Sequence, residues 1–509
     1  MKSDSGTSVS TWMATAEVPE YSALQESRSV EVCVIGAGIA GLSTAYELLL
    51  EGKSVVVLDD GKIAGGETCR TTAHLSNVID DDLAVIAKLH GEKGLKLAVQ
   101  SHLSAIDRIE EIAREENIEC DFMRLDGFLF AASEEDSQYI DDELEAAQSV
   151  GMQVERLARA PIENFQTGPC LRFENQGQFH VLKYLAGLAE AITSRGGLIF
   201  SGTHVTEMKS GESIHIETEN GPIITADFLV VATNSPVNDW IKMHTKQHAY
   251  RTYVVGARVP KGSIQTALYW DSQDPYHYAR LQPWDEASEV LIVGGEDHKT
   301  GQDDDAEERY ARLESWTKER WPKAENFEFR WSGQVFETID GLGFIGRNPG
   351  DTPNVFIQTG DSGMGLTHGV LGSLIVRDLI LNRENEWAEL YDPSRKTLRA
   401  AKEFITETLN MAAQYKDLVT GGDVVSESEI ESGDGAILRR GLSKIAAYRD
   451  EAGVLHERSA VCPHLGCIVA WNSEEKSWDC PCHGSRFDGL GKVITGPSRA
   501  DLAETGEVR

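Results

Sequence analysis

The chain has 509 residues, which at about 150 residues per domain predicts roughly three folding units. Lys and Arg number 48 and Asp and Glu number 82, so the formal net charge is −34. A surface this acidic repels phosphate backbones and anionic lipids, which argues against nucleic acid as a partner. The sequence contains no run of about 20 apolar residues, so we expect no membrane-spanning helix.

The first 29 residues are polar and are predicted to form a surface arm. They lack the basic start and apolar run of a secretory signal, so the cytoplasm is the expected location. Of the eight cysteines, four are scattered and are typical of small buried hydrophobic residues. The other four fall within 21 residues near the C-terminus and alternate with histidines, which indicates a metal site.

Residues 30–59 are predicted to form a strand, a helix and a second strand. Both strands are unbroken apolar runs, which are typical of a parallel sheet covered on both faces. Further helices are predicted at 100–116, 138–149, 183–195, 304–320 and 368–381, and strands at 124–131, 198–207, 213–217, 228–233, 250–258, 266–270, 289–294 and 354–360. Residues 386–420 are predicted to be a polar helical linker. Gly-Gly-Asp at 421–423 breaks the chain and short strands and turns dominate from 424, which places a domain boundary near 420.

A glycine-rich turn joins the first predicted strand to the first helix. Gly36, Gly38 and Gly41 form G-x-G-x-x-G, which permits a tight turn, a close approach of the backbone to a pyrophosphate, and packing of the helix on the strand. The helix N-terminus would then face the phosphates. Asp59 ends the second strand, where a carboxylate would bind the adenosine ribose. The segment predicts a dinucleotide site; the alternative is an ordinary strand–helix turn.

A second glycine-rich turn follows the predicted strand at 354–360. It contains Gly360, Asp361, Gly363 and Gly365 and leads into a helix, so it could bring a second helix N-terminus to a flavin. The first fingerprint also lies almost at the N-terminus. Together these features favour FAD over NAD.

The two turns resemble motifs of the FAD-dependent amine and amino-acid oxidoreductases of the D-amino-acid oxidase family, which includes glycine and sarcosine oxidases. The resemblance covers residues 30–382 and departs from the family at Asn234, a glycine there, and at Asp59, usually Glu. It implies an α/β FAD-binding domain with a Rossmann-like parallel sheet, interleaved with an α+β substrate domain, over residues 30–385. The implied FAD-binding segments are about 30–80, 180–235 and 330–385, and the substrate-domain segments are about 120–160 and 240–325.

The C-terminal cysteines and histidines form two half-sites. Cys462 and His464 make C-x-H, and Cys480 and His483 make C-x-x-H. Two thiolates and two imidazoles can bind zinc. They can also bind a Rieske [2Fe–2S] centre, in which two Cys hold one iron and two His hold the other. Each half-site carries one further cysteine, and loops that meet at a cluster would bring these two within bridging range, which favours the Rieske centre.

The half-sites resemble the C-x-H-x-G-C and C-P-C-H-G-S loops of Rieske proteins from cytochrome bc-type complexes. The resemblance covers about residues 421–509 and implies an all-β domain. It implies that Cys462 and Cys480 bind one iron, that His464 and His483 bind the other, and that Cys467 and Cys482 form a disulfide. In those proteins a Ser and a Tyr hydroxyl point at the cluster; here Ser485 keeps the first donor and Phe487 lacks the second. We therefore expect a lower potential than in the Tyr-bearing relatives.

Two other groups of residues were candidates for chemistry. Asp239, His244 and His248 form D-x4-H-x3-H, loosely like the iron triad of a mononuclear oxygenase, but surface histidines near a turn are the favoured interpretation. An Arg beside aromatic residues in the substrate-domain region could hold a substrate carboxylate. Ordinary surface and hairpin positions are again favoured for this second group, which comprises His74, Tyr253, His277, Tyr278, Arg280, His298 and Lys299. No catalytic base is assigned.

The two resemblances together predict an electron-transfer flavoenzyme. A small-molecule donor, amine or amino-acid-like, would give a hydride to FAD, and electrons would pass singly to the fused Rieske cluster and on to an external acceptor. One alternative is a non-catalytic electron relay. The other is an oxidase that uses oxygen and keeps a structural cluster.

Overall fold

The computed structural model describes residues 5–133, 136–238, 243–396, 410, 414–418 and 420–505. Within these ranges, no helix is long and apolar enough to cross a membrane. Helices and strands are numbered in chain order. The helices are α1 (Thr11–Thr15), α2 (Ile39–Leu50), α3 (Leu83–Glu115), α4 (Ser137–Ser149), α5 (Val181–Ser194), α6 (Ala306–Arg320), α7 (Gly365–Ile380) and α8 (Ala388–Tyr391).

The apolar, β-branched runs form an eight-stranded sheet with the central order β16-β17-β10-β1-β2-β7. Its strands are β1 (Arg28–Ile35), β2 (Val55–Leu58), β7 (Leu198–Phe200), β8 (Val205–Lys209), β9 (Ile214–Thr218), β10 (Ile223–Val231), β16 (Phe344–Arg347) and β17 (Val355–Thr359). The strand β1 runs parallel to both β2 and β10. Val32 and Val34 face the helices α2, α5 and α7, whereas Cys33 and Ile35 face the hairpin β8–β9. This double cover explains why the central strands are apolar throughout.

A second, mixed sheet has nine strands in the main order β15-β11-β14-β13-β12-β4-β6-β3, with β5 beside β6. They are β3 (His74–Leu75), β4 (Met123–Phe130), β5 (Val154–Leu157), β6 (Cys170–Gln178), β11 (Gln247–Pro260), β12 (Leu268–Asp271), β13 (His277–Pro283), β14 (Ser288–Lys299) and β15 (Asn326–Thr338). The helix α6 packs Tyr310, Leu313 and Trp316 against this sheet. The chain therefore alternates between the two sheets, as expected for an interleaved pair of domains.

The division between the two sheets differs from the predicted segments at three places. The strand β3 lies in the predicted FAD-binding segment 30–80 but pairs with β6 of the nine-stranded sheet. The strand β15 pairs with β11 from Asn326 to Thr338, so the last piece of the first sheet begins after residue 338 and not near 330. The strand β6 lies outside the predicted substrate-domain segments and pairs with β4. Neither β6 nor β15 is among the strands predicted from the sequence, and the partner of a strand is set by long-range packing and not by its own residues.

The C-terminal part consists of two small antiparallel sheets. The first contains β18 (Asp434–Arg440), β19 (Ser443–Arg449) and β20 (Leu455–Ser459), and the second contains β21 (Ala470–Asn472), β22 (Ser477–Asp479), β23 (Arg486–Asp488) and β24 (Val493–Thr495). Before it, the predicted linker contains α8 and a 3₁₀ turn at Tyr415–Leu418. Linker residues 397–409, 411–413 and 419 lie outside the described residues.

The N-terminal arm is only in part the surface segment that its polar composition predicted, since residues 25–29 are exposed but the stretch around Trp12 is buried. Ser10 and Trp12 are fully buried. The Ser10 hydroxyl donates to the Cys69 carbonyl at 2.6 Å, and the Trp12 indole donates to the Thr71 carbonyl at 2.5 Å. These contacts fix the arm to the loop that follows β2. The Ser10 hydroxyl and the Trp12 indole are satisfied by backbone carbonyls, which is how polar groups of this segment can be buried.

Buried charges join the C-terminal part to the rest of the chain. Arg70 binds Glu475 at 3.0 Å, with the Arg70 side chain 1% and the Glu475 side chain 0% exposed. Glu475 also accepts from the hydroxyls of Ser8 and Ser332, each at 2.5 Å. Arg251, in β11, lies 3.5 Å from Asp479 in β22. The arm, the nine-stranded sheet and the C-terminal part therefore meet at one buried ion network.

Candidate functional site

The first glycine turn is so tight that a side chain would not fit at two of its glycines. Gly36 has φ +102°, and a Cβ there would lie 2.4 Å from the Ala232 carbonyl oxygen. A Cβ on Gly41 would lie 1.8 Å from the Gly36 carbonyl oxygen. Gly38 precedes α2 as its N-cap and has no side-chain cap; the Ile39 N–H donates to the Thr68 hydroxyl at 3.3 Å, and Gly38, Ile39 and Ala40 line the open space at this helix N-terminus. This arrangement is suited to a pyrophosphate.

Replacing Gly36 with alanine should give a protein that purifies with little flavin. The new methyl group would displace the backbone at Ala232 and strain a left-handed residue, so the phosphate turn could not keep its shape. Gly52→Ala is the matched control, since Gly52 has φ +78° but a methyl group added there would meet no atom within 4 Å. The flavin-to-protein absorbance ratio reports the result. A full flavin complement in Gly36→Ala would contradict this role for the turn.

Asp59 lines the same open space but is already engaged with backbone. Its carboxylate accepts from Ala37 N–H at 2.6 Å and from Gly61 N–H at 2.8 Å. Burial, and then the nearby Asp60, raise the pKa of Asp59 to about 7. The carboxylate therefore fixes the glycine turn to the end of β2. Contact with an adenosine ribose stays a prediction, for which the remaining lone pairs of its oxygens are suited.

The second glycine turn lies against the first. A Cβ on Gly369, in the first turns of α7, would lie 2.9 Å from Ile39, the first residue of α2. Gly360 and Gly363 both have φ +72°, and a Cβ on Gly363 would lie 2.0 Å from the Asp80 carboxylate. The structure thus brings two helix N-termini to one place. Asp361 and Gly365, also predicted from the sequence, line the space between them.

A single cavity of about 680 Å³ joins both turns. It runs from Gly36 and Asp59, past Asp361 and Gly365, to the nine-stranded sheet at Tyr278. Its volume is within the range of about 300–1,000 Å³ typical of small-molecule and cofactor sites. The two close-packed turns and the elongated cavity fit a flavin dinucleotide.

The two cysteine–histidine loops also meet. The thiols of Cys462 and Cys480 are within hydrogen-bond reach of each other. The rings of His464 and His483 lie 4.9 Å apart and nearly perpendicular. Cys467 and Cys482 form a disulfide that joins the two loops. The cysteine pair and the histidine pair remain separate, since no three His, Cys, Asp or Glu side chains within the described ranges could hold one metal ion.

The donor set fits a Rieske centre better than a zinc site. Zinc needs four ligands around one ion, whereas a Rieske centre has two irons, one held by two cysteines and the other by two histidines. Both ring nitrogens of His483 are buried and have no hydrogen-bond partner among the described residues. Burial, and then His464, His244 and His248, lower the pKa of His483 to about 3. A neutral ring with unpartnered nitrogens is suited to metal binding.

The surroundings of the cysteine pair include one hydroxyl group that the sequence predicted and one that it did not. Ser485 lies within hydrogen-bond reach of the Cys462 thiol. Phe487 is fully buried in the same apolar core as Cys462 and Cys480. Tyr415, from the linker, donates to the Leu465 carbonyl at 2.8 Å, inside the first ligand loop. No local sequence pattern links Tyr415 to that loop.

Phe487→Tyr should raise the potential of the cluster by about 20–60 mV. One hydrogen bond nets roughly 0.5–1.5 kcal/mol, and for one electron about 1.4 kcal/mol corresponds to 59 mV. A donor aimed at sulfur stabilises the reduced, more negative cluster. Protein-film voltammetry measures the shift, and Phe200→Tyr, which adds a hydroxyl in the first sheet, should leave the potential unchanged. An unchanged or lowered midpoint in Phe487→Tyr would mean that residue 487 does not point at the cluster.

The cysteine–histidine loops lie against the wall of the cavity. The Gln334 side chain lines the cavity and donates to the carbonyl of Gly484, the residue after His483, at 3.0 Å. A Cβ on Gly484 would lie 2.4 Å from Ala249. Residues 493–496, 498 and 499 of the C-terminal part complete the same cavity wall. The two predicted cofactor sites are therefore neighbours, with Gln334 between them.

His244 is not the surface histidine that the sequence suggested. It is 1% exposed, and its ring lies 5.1 Å from His464 and 6.2 Å from His483. The segment before β11 is covered by the ligand loops, which no pattern within that segment could indicate. Asp239 of the same motif lies outside the described residues.

Four of the polar substrate-domain candidates are buried, because β11, β13 and β14 lie inside the nine-stranded sheet, and the other three are half-buried. The buried ones are Tyr253, His277, Arg280 and His298, and the half-buried ones are His74, Tyr278 and Lys299. His277 lies between Asp271 and Glu296, at 3.2 and 3.3 Å. Arg280 donates to backbone carbonyls, among them Ala73 at 2.6 Å, and burial lowers its pKa to about 9. The other members make ring contacts: Tyr253 with His298, Lys299 with Tyr250, and His74 with Tyr278. Of the seven, only His74 and Tyr278 line the cavity.

Comparison with known proteins agrees with both sites. The family model of the FAD-dependent oxidoreductases matches residues 31–379, and the model of the Rieske [2Fe–2S] domain matches residues 422–505. A Bacillus subtilis (strain 168) protein named as a Rieske 2Fe-2S iron-sulfur protein, YhfW, is 31% identical over 97% of this chain and 96% of its own. Gamma-glutamylputrescine oxidoreductase of Escherichia coli (strain K12) is 25% identical over 71% of this chain and 85% of its own.

The crystal structure of glycine oxidase from Geobacillus kaustophilus has the same fold as the larger part of the chain. It superposes with a TM-score of 0.63 at 18% identity, covering 73% of this chain and 100% of that one. The chain therefore belongs to the FAD-dependent oxidoreductase family and carries a C-terminal Rieske domain, with FAD and a [2Fe–2S] cluster as its cofactors.

Proposed function

We propose that this enzyme is a dehydrogenase that oxidises an amine-type donor and delivers the electrons through its own Rieske cluster to an external acceptor. FAD supplies the hydride acceptor and the change from two-electron to one-electron transfer, and the cluster carries single electrons. The observation that carries the proposal is the hydrogen bond from Gln334, in the cavity wall, to Gly484, next to His483.

Gln334 is held rigidly at this position. Its backbone N–H donates to Glu67 at 2.7 Å, and its side-chain oxygen accepts from the Thr300 hydroxyl at 3.2 Å. Gln334 is 2% exposed, so this contact between the cavity wall and the ligand loop is shielded from solvent. The buried ion network around Glu475 keeps the two domains in this arrangement. A fixed, short contact favours electron transfer within the chain.

The residues proposed to hold the cofactors follow from the same geometry. Around FAD they are Gly36, Gly38, Gly41, Asp59, Gly360, Asp361, Gly363 and Gly365, and around the cluster they are Cys462, His464, Cys480 and His483, with Cys467 and Cys482 as the bridge. The nature of the donor is supported by the relatives: one acts on gamma-glutamylputrescine and the fold of another structure is that of a glycine oxidase. Both donors contain a C–N bond.

Anaerobic titration with a panel of amines and amino acids tests the proposal. We expect at least one amine to bleach the visible absorbance of the bound flavin without oxygen. If no C–N donor bleaches the flavin and a reduced protein partner bleaches it instead, the proposal is contradicted and the chain is an electron relay. Reoxidation of a bleached flavin by oxygen far faster than by a one-electron dye would instead indicate an oxidase.

A further inference from the structure

The end of the cavity at the nine-stranded sheet is lined by more acidic than basic side chains. Asp80 lies against the second glycine turn, as its contact with Gly363 shows, and accepts from the Tyr276 hydroxyl at 2.9 Å. Asp297 lies close enough to Asp80 for the two carboxylates to repel each other. Both line the cavity. One carboxylate oxygen of Asp297 is buried without a hydrogen-bond partner among the described residues.

The two carboxylates face the cavity with different exposure: Asp80 is exposed and Asp297 is half-buried. Burial raises the pKa of Asp297 to about 7 and the charge of Asp80 adds to the effect, whereas Arg309 and His277 act in the opposite direction. Thr252 donates to Asp297 and offsets part of the cost of its burial. A cation between the two would relieve both the desolvation and the mutual repulsion.

Aromatic rings complete this end of the cavity. The rings of Tyr276 and Tyr278 lie 5.3 Å apart, and the His74 ring lies 5.4 Å from Tyr278 at 87°. Burial, and then Arg280, lower the pKa of His74 to about 3, so its ring is neutral and does not repel a cation. Aromatic faces beside carboxylates attract ammonium groups.

The basic residues of the cavity wall are placed elsewhere. Among the described residues that line the cavity, the arginines are Arg70 and Arg499, and there is no lysine. Arg70 is committed to Glu475 and to the Ser332 carbonyl. The arginine whose charge acts on Asp297 is Arg309, which is not among the described residues that line the cavity and is paired with Asp305 at 2.6 Å. A substrate carboxylate between Asp80 and Asp297 would therefore meet two acids, while Arg70 and Arg309 are already paired with other carboxylates.

We infer that the donor binds as an ammonium cation between Asp80 and Asp297, against Tyr276 and Tyr278, and that the site selects amines lacking a carboxylate next to the nitrogen. The inference names the substrate class of the proposed dehydrogenase and rests on that function. It separates this chain's substrate from an amino acid, whose carboxylate the acidic wall repels.

Binding of three ligands of similar shape tests the inference without any electron transfer. The probes are benzylamine, benzyl alcohol and benzoate, added under anaerobic conditions to the flavin-loaded full chain. Calorimetry and the shift of the flavin absorbance report binding. We expect benzylamine to bind at least about ten-fold more tightly than benzyl alcohol, and benzoate to bind most weakly. Equal binding of all three, or tighter binding of benzoate, would overturn the inference.

Substitutions of the two carboxylates show which residues select the amine. Asp297→Asn should weaken benzylamine binding about ten-fold and leave benzyl alcohol unchanged, and Asp80→Asn should act in the same direction. Asp60→Asn is the control, because Asp60 lines the opposite end of the cavity and lies 3.3 Å from His204. Flavin content confirms that each variant is folded. Unchanged benzylamine binding in a flavin-loaded Asp297→Asn protein would overturn the assignment.

The two proposals fail differently. Selective binding of benzylamine to a flavin that no amine bleaches would leave the binding inference intact and refute the dehydrogenase. Bleaching by amino acids but not by their decarboxylated amines would leave the dehydrogenase intact and refute the inference.

Discussion

Replacing His483 with alanine should give a protein that keeps its flavin and has no iron–sulfur cluster. Each iron of a Rieske centre has only two protein ligands, so the loss of one imidazole leaves an iron that the protein cannot hold. His483 is buried with both ring nitrogens unpartnered, so no other described hydrogen bond depends on it. The wild-type chain should contain two irons and two acid-labile sulfides, as a [2Fe–2S] centre requires. Metal analysis and the EPR signal of the reduced protein measure both.

His456→Ala is the matched control for this change. His456 lies in the same domain, in β20, and binds Asp450 at 2.8 Å, away from the ligand loops. Its variant should keep full iron and an unchanged EPR signal. One zinc and no iron in the wild-type protein would refute the cluster assignment, as would full iron in His483→Ala.

Glu475→Gln should destabilise the folded chain by about 3–5 kcal/mol, because breaking a buried ion pair leaves uncompensated charge. Arg70 and Arg251 would lose their shared carboxylate, and both side chains are 1% exposed. Denaturant unfolding followed by fluorescence, together with limited proteolysis between the domains, measures the effect. A change below about 1 kcal/mol would mean that the network does not hold the domains together.

Glu457→Gln provides the comparison for an exposed pair. Glu457 binds Arg440, whose side chain is 47% exposed, so its loss should cost about 0–1 kcal/mol. The difference between the two variants isolates the contribution of burial.

The Glu475 carboxylate should make the free energy of unfolding depend on pH in the acid range. Burial raises the pKa of Glu475, but Arg70, Arg251 and Arg486 outweigh it and lower the value to about 2. A group with a depressed folded pKa contributes stability above its unfolded pKa and loses that contribution as pH falls. The Glu475 contribution should therefore be full above about pH 4.5 and should disappear toward pH 2, and Glu475→Gln should flatten this part of the profile.

The parts of the site that were predictable from sequence are those in which function depends on neighbours in the chain. Gly36 and Gly41 lie five residues apart, and a Cβ on Gly41 would meet the Gly36 carbonyl within the turn itself, although Gly36 also lies against the distant Ala232. The half-sites at Cys462 and Cys480 are equally local. Each motif is short enough for its spacing to indicate its chemistry.

The unpredicted parts depend on contacts between distant segments. Gln334 and Gly484 are 150 residues apart, and Arg70 and Glu475 are 405 apart. Nothing local distinguishes Glu475 from the other acids of a chain with net charge −34. Trp12 was the one signal in the arm: a large apolar ring in a polar segment that needed a place to pack.

We propose that flavin and cluster form one electron path within this chain, and EPR after anaerobic addition of a donor tests this path most directly. The donor is the amine that bleaches the flavin most completely in the titration. We predict that the reduced Rieske signal appears in the wild-type protein as the flavin absorbance falls, without any added carrier, and that it is absent from His483→Ala, whose flavin still bleaches. A bleached flavin beside a cluster that stays oxidised, although dithionite reduces it, would contradict the claim.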